Sequence, residues 1–109
     1  MPMYEFVCRD CHKGFEIIRC NYRTPEGEID IIAQFEKCLH FVEVKQRATE
    51  GFGEPEEFVT PAKQRKIKRA AQAYLESIDG YGTFCQFDVI AVIGTEESFA
   101  IEYFPNAFS

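Results

Sequence analysis

The sequence contains no tryptophan, and only two methionines and two histidines. No apolar run is long enough to cross a bilayer. The opening "MPMYEFVCRDCHK" lacks the apolar core and small-residue cleavage site of an export signal, so the expected location is cytoplasmic. Internal repeats, low-complexity segments and long linkers are absent as well. Basic excess is missing: the net charge is −6, against the basic surface of a general nucleic-acid binder. The five cysteines are an odd number without an export signal, which argues against a disulfide framework. Cys20, Cys38 and Cys85 lie in apolar runs and read as small buried hydrophobes.

What is present suits one modest globular core. Over 109 residues, 46% are hydrophobic and eleven are phenylalanine. The positive charge is concentrated in "PAKQRKIKRAAQA", which holds Lys63, Arg65, Lys66, Lys68 and Arg69 and no acid. Such a stretch is either a solvated helix face or a local seat for a phosphate backbone.

"YEFVC" reads as a short strand. "FEIIRCNYR", "EIDIIAQF" and "CLHFVEVKQR" are rich in β-formers, and "TPEG" and "EK" supply the turns between them, so an antiparallel meander is expected. "ATEGFGEPEEF" reads as a loop able to lie over a site. Thr60 as N-cap and Pro61 in the first helical position start a helix that runs to about Ser77. Its apolar stripe is Ile67, Ala70, Ala71, Tyr74, Leu75 and Ile78, and "DGYG" ends it. "CQFDVIAVIG" is nearly all apolar and reads as a central strand, covered on both faces. "SFAIEYF" is the last strand and "PNAFS" a terminal turn. The fold class is α/β: a mixed sheet with one long helix on a face, and a parallel pair available across the helical crossover.

The chemistry is carried by "FVEVKQR". Side chains alternate along a strand, so Glu43 and Lys45 share a face that Val42 and Val44 do not. Asp30, in the preceding strand, falls beside them across the hairpin. Two carboxylates offer hard oxygen ligands to Mg²⁺ or Mn²⁺, and a cation relieves their repulsion. A lysine beside them can orient water or stabilise charge on a phosphate. Lys63 falls in line with Ile67, Ala71 and Tyr74, emerges at the core edge near the sheet, and is the leading candidate for a phosphate contact. Arg65 and Arg69 are peripheral contacts or solvated. Arg47 shares the face of Glu43 and Lys45 and either holds a phosphate or pairs with an acid. Glu28 is either a further ligand or a partner of Arg23 or Arg47. His40, among apolar residues, reads as structural.

Asp30, Glu43 and Lys45 match the D…ExK core of the PD-(D/E)xK nucleases. In series, "NYRTPEGEIDIIA", "FVEVKQR", "FG", "VTPAKQRKIKRAAQAYL", "FDVIAV" and "PNAF" closely resemble the YraN-like family of small endonuclease-like proteins, related in fold to Holliday junction resolvases, over about residues 14–108. The resemblance implies a restriction-endonuclease-like fold, Mg²⁺ or Mn²⁺ held by Asp30 and Glu43, water assisted by Lys45, and DNA, branched or structured, as substrate. Lys63, Arg47 and Arg65 would then touch nucleic acid. The alternative is a non-catalytic nucleic-acid-binding or assembly module on the same fold.

The start departs from that family, whose members begin with a helix carrying a glutamate; here Glu5 is the nearest acid and sits in the wrong register. Residues 1–16 resemble instead the opening of an FmdB-type zinc ribbon. A division follows into an N-terminal hairpin segment over 1–13 and an endonuclease-like domain over 14–109. Cys8 and Cys11 would be half of a Cys₄ zinc site, and no second CxxC exists in the chain. The open arrangements are a free dithiol, one Zn²⁺ shared by two chains in a homodimer, or a site completed by His12 or Cys20.

Overall fold

The computed structural model of the protein describes residues 15–47, 59–80, 82–95 and 97–109. The N-terminal segment with Cys8, Cys11 and His12, the "YEFVC" strand and the loop over 48–58 lie outside these residues, as does the side chain of Arg47. The described elements are β1 (Glu16–Thr24), β2 (Gly27–Phe35), β3 (Cys38–Arg47), α1 (Pro61–Ser77), β4 (Phe84–Gly94) and β5 (Phe99–Phe108). They form one sheet in the order β1-β2-β3-β4-β5. β1, β2 and β3 are the expected antiparallel meander, β3 and β4 pair in parallel across α1, and β5 returns antiparallel. This is the mixed α/β sheet with one helix on a face.

Each connection has a local cause. In the β1–β2 turn, Thr24 Oγ1 accepts from the amides of Glu26 and Gly27, a hydroxyl-built turn. Gly27 lies under the helix: a Cβ there would meet the Lys66 carbonyl oxygen at 2.7 Å, so only glycine lets α1 settle over the hairpin. Thr60 caps α1 by accepting from the Lys63 amide at 3.2 Å. At the other end Asp79 takes the left-handed conformation, with φ 54°. The Asp79 and Gly80 amides donate to the carbonyls of Glu76 and Leu75, closing a Schellman motif. The glycine that favours this conformation stands one residue later, at Gly80.

α1 buries Ile67, Ala70, Ala71 and Tyr74 against Ile29, Ile32, Leu39, Phe41 and Val89. Ile78 leaves the expected stripe: it caps the helix at 48% exposure, because the helical path ends before it can turn inward. On the opposite face Ile31, Ala33, Val42, Ile90 and Val92 form a second apolar layer, joined by Phe15, Ile17, Cys20 and Val44. β4 is buried on both faces through its middle, as its apolar run predicts. Cys20 and Cys38 are half-buried, but Cys85 is exposed near the start of β4.

The C-terminal "PNAFS" is not a turn; β5 continues through it to Phe108. Between Phe87 and Val89 the β4–β5 register slips, so β5 carries extra residues around Asn106, whose φ is 50°. Pro105 has no amide to offer, and the Asn106 amide donates to the Asp88 carboxylate at 2.8 Å. The bulge is thereby satisfied, and Phe108 returns to pair with Phe87. A ring stack of Phe87 on Phe108, centroids 5.2 Å apart, closes that end.

Candidate active site

The site lies where the sheet turns over. Ile29 packs on the helix side and Ile31 on the other, although two residues apart on a regular strand would share a face. β1 shows the same reversal between Cys20 and Tyr22, with Asn21 between them in the left-handed region at φ 57°. Asp30 occupies the corresponding point of β2. The β2–β3 ladder ends at Ile31–Val42, whereas β3 stays paired with β4 out to Arg47–Ile93. Beyond Val42 the Asp30 carboxylate replaces the missing strand partner: its Oδ2 accepts from the Val44 amide at 2.8 Å. The separation of β2 from β3 leaves room for side chains between them.

Glu43 is turned toward the helix side, in the same alternation as Leu39 and Phe41, and is only 5% exposed. Its carboxyl lies beside that of Asp30. Burial first, then the charge of Asp30 and a hydrogen bond to it from the protonated acid, push the Glu43 acid up to about 8, while Lys63 and Lys45 pull it the other way. Lys63 reaches down from the first turn of α1 and sets Nζ 3.7 Å from Glu43 Oε2. Lys45, half-buried on β3, acts on Glu43 through its charge. Asp30, Glu43, Lys45 and Lys63 are therefore brought together. Lys63 emerges at the edge of the core near the sheet, where its position on the helical wheel puts it, and it meets a carboxylate there.

Other predicted residues stand apart. Arg65 and Arg69 are exposed on α1. Glu28 pairs with Arg23 at 3.5 Å, and side-chain exposures of 50% and 75% make that a weak surface bridge. Lys68 donates to the Ser109 main-chain oxygen and lies over the Phe108 ring, tying α1 to β5. The Cys38 thiol is pushed up by burial, then by Cys85 and Asp88, and the Cys85 thiol by burial, so neither is an activated thiolate.

The carboxyl pair suits a divalent cation by its chemistry. Two crowded carboxylates taken out of water hold their charge poorly unless a cation offsets it. Mg²⁺ binds through one or two carboxylates and leaves its other positions to water and phosphate. Among the described residues no group of three or more His, Cys, Asp or Glu side chains forms a fuller cage.

Asp88 shows what a structural carboxylate looks like in the same fold. It is 1% exposed. It is held by His40 Nδ1 at 2.7 Å, Gln86 Nε2 at 2.8 Å, Tyr103 Oη at 2.7 Å and the Asn106 amide at 2.8 Å. Every lone pair it needs to satisfy is met by the fold, whereas Glu43 faces another acid. The sequence signal for this cluster was an aspartate inside an otherwise apolar strand; such a residue requires partners. His40 is indeed structural: it braces Asp88 and meets the Phe15 ring edge-on at 4.9 Å.

Comparison with known proteins places this chain in a family. A UPF0102 protein of Desulfosudis oleivorans is 49% identical over 96 residues, covering 88% of this chain and 76% of that protein. One from Chlorobium phaeobacteroides is 45% identical over 102 residues, covering 88% and 81%. One from Alkaliphilus oremlandii is 46% identical over 99 residues, covering 89% and 85%. Residues 11–92 match the sequence profile described as Uncharacterised protein family UPF0102. The chain belongs to the UPF0102 family.

Proposed function

We propose that the protein is a metal-dependent nuclease of the PD-(D/E)xK type that hydrolyses phosphodiester bonds in DNA, branched or otherwise structured. The observation that carries this reading is the buried Glu43 held against Asp30, with Lys45 and Lys63 beside them. Asp30 and Glu43 would hold Mg²⁺ or Mn²⁺. When bound, the ion would polarise a phosphoryl oxygen and acidify the attacking water.

The chain's own residues set the geometry. The Val44 amide fixes one Asp30 oxygen. β3 stays paired with β4 through this region and so holds Glu43 and Lys45 rigidly on one face. Lys45 orients the water and offsets charge developing on the phosphate. Burial of Glu43 keeps bulk water from screening these charges.

A non-catalytic nucleic-acid-binding module on the same fold is the second reading. It is favoured by the Lys63–Glu43 contact, since an ammonium already supplies the carboxyl pair with a counter-charge. Titration with Mg²⁺ or Mn²⁺, followed by thermal melting, tests the cation site. The wild type should gain several degrees at saturating ion and Asp30→Ala none. Equal responses would remove the site. Cleavage of junction and single-stranded DNA then separates the two readings. The nuclease should lose about 10²-fold or more in Lys45→Ala, and turnover unchanged by that substitution would contradict the proposed role.

A further inference from the structure

The Lys63 side chain stands between two places. On one side is Glu43, 3.7 Å away. On the other is a groove of about 370 Å³ that Lys63 lines together with Arg23, Lys66, Glu26 and Glu28 at the β1–β2 turn. Gly27 brings the helix close enough to the hairpin to form it. Leaving Lys63 aside, two cations face two carboxylates there, so the groove is balanced. Arg23 is also paired with Glu28. With Lys63 turned fully into the groove, the balance becomes one positive charge beside the first turn of α1, where no acid lies.

We infer that Lys63 is a two-position ammonium which couples the cation site to phosphate binding. The inference rests on the nuclease reading above. With no divalent ion bound, Lys63 compensates the charge that the Asp30–Glu43 pair keeps. A divalent cation on Asp30 and Glu43 repels the ammonium at that short range, and Lys63 turns into the groove, where with Lys66 it takes a phosphate of the DNA backbone. A side chain 37% exposed and anchored only in the first helical turn has the freedom for this movement. Lys63 therefore competes with the metal in the absence of DNA and makes DNA binding metal-dependent in its presence, a reciprocal linkage between two adjacent sites.

The test uses the full chain and Ca²⁺ at constant ionic strength, with calorimetry for the ion and fluorescence anisotropy for a short labelled duplex. In the wild type, saturating Ca²⁺ should tighten duplex binding about fivefold, the effect of roughly one added phosphate contact. Lys63→Met should bind Ca²⁺ more tightly than the wild type, because its competitor is gone, and should lose the Ca²⁺-dependent gain in duplex affinity. Lys66→Met should weaken duplex binding equally with and without Ca²⁺ and leave Ca²⁺ affinity unchanged. Should Lys63→Met bind Ca²⁺ no more tightly, or keep the full gain in duplex affinity, the coupling is wrong while the cation site stands. Should the wild type bind Ca²⁺ no better than Asp30→Asn, the site itself is absent and the nuclease reading fails with it.

Discussion

Glu43 and Asp88 are both carboxylates removed from water, and the sheet supports them in opposite ways. Asp88 receives four donors and holds a strand bulge in place. Glu43 receives another acid, and its own acid strength moves from 4.5 to about 8. The sign of the resulting pH dependence follows from linkage. A carboxyl whose folded value lies above its unfolded one binds its proton more tightly in the fold, so its contribution is greatest below about 4.5 and is lost as the pH rises through about 8. The metal-free protein should therefore weaken between pH 5 and 8, and Glu43→Gln should flatten that slope. At pH 8 the variant should be about 1–3 kcal/mol more stable than wild type in chelator, as read by urea melts across pH. A variant with the wild-type slope would show that Glu43 is not the strained acid. Asp88→Ala should do the reverse, costing about 3–5 kcal/mol by leaving buried donors unpaired. At this scale the sequence was readable where chemistry is repeated along a strand, as with Glu43 and Lys45. Asp88 stands out as an acid in an apolar strand, but its donors were hidden because they come from three strand segments whose register no local pattern reveals.

At the scale of elements, Pro61–Ser77 and Cys38–Arg47 follow directly from the residues: a Thr–Pro start with helical spacing, and a run of β-formers bounded by a tight turn. The end of β5 does not. Pro105 reads as a strand stop, and only the Asp88 carboxylate, distant in sequence, lets pairing resume beyond it. Amide hydrogen exchange checks this: in Asp88→Ala the Asn106 and Phe108 amides should lose protection, while the middle of β4 keeps its own until global unfolding. The reversal of β1 and β2 at Asn21 and Asp30 was equally invisible, since alternation assumes that a strand keeps its faces. The approach of α1 to the hairpin rests on Gly27. Gly27→Ala should cost about 1–3 kcal/mol, because the Lys66 backbone must retreat, and it should widen the groove beneath Lys63. Denaturant melts read the first effect. An alanine variant as stable as wild type would mean that the helix has slack there.

For the whole molecule, the net charge of −6 means that any nucleic acid must be held locally rather than by a general field. Duplex affinity should fall with salt along a shallow slope, set by the few cations near α1 and β3. Membership of the UPF0102 family covers most of the chain and agrees with the motif series. Among the described residues no helix is long and apolar enough to cross a membrane. The sheet, the helix and the reversal of β2 together place Asp30 against Glu43. The most direct test of what that pair does is anomalous diffraction from crystals soaked in Mn²⁺. A peak about 2.1 Å from oxygens of both Asp30 and Glu43 is expected, with the Lys63 ammonium moved off Glu43. No peak at that pair, with Lys63 still seated on Glu43, would contradict the cation site.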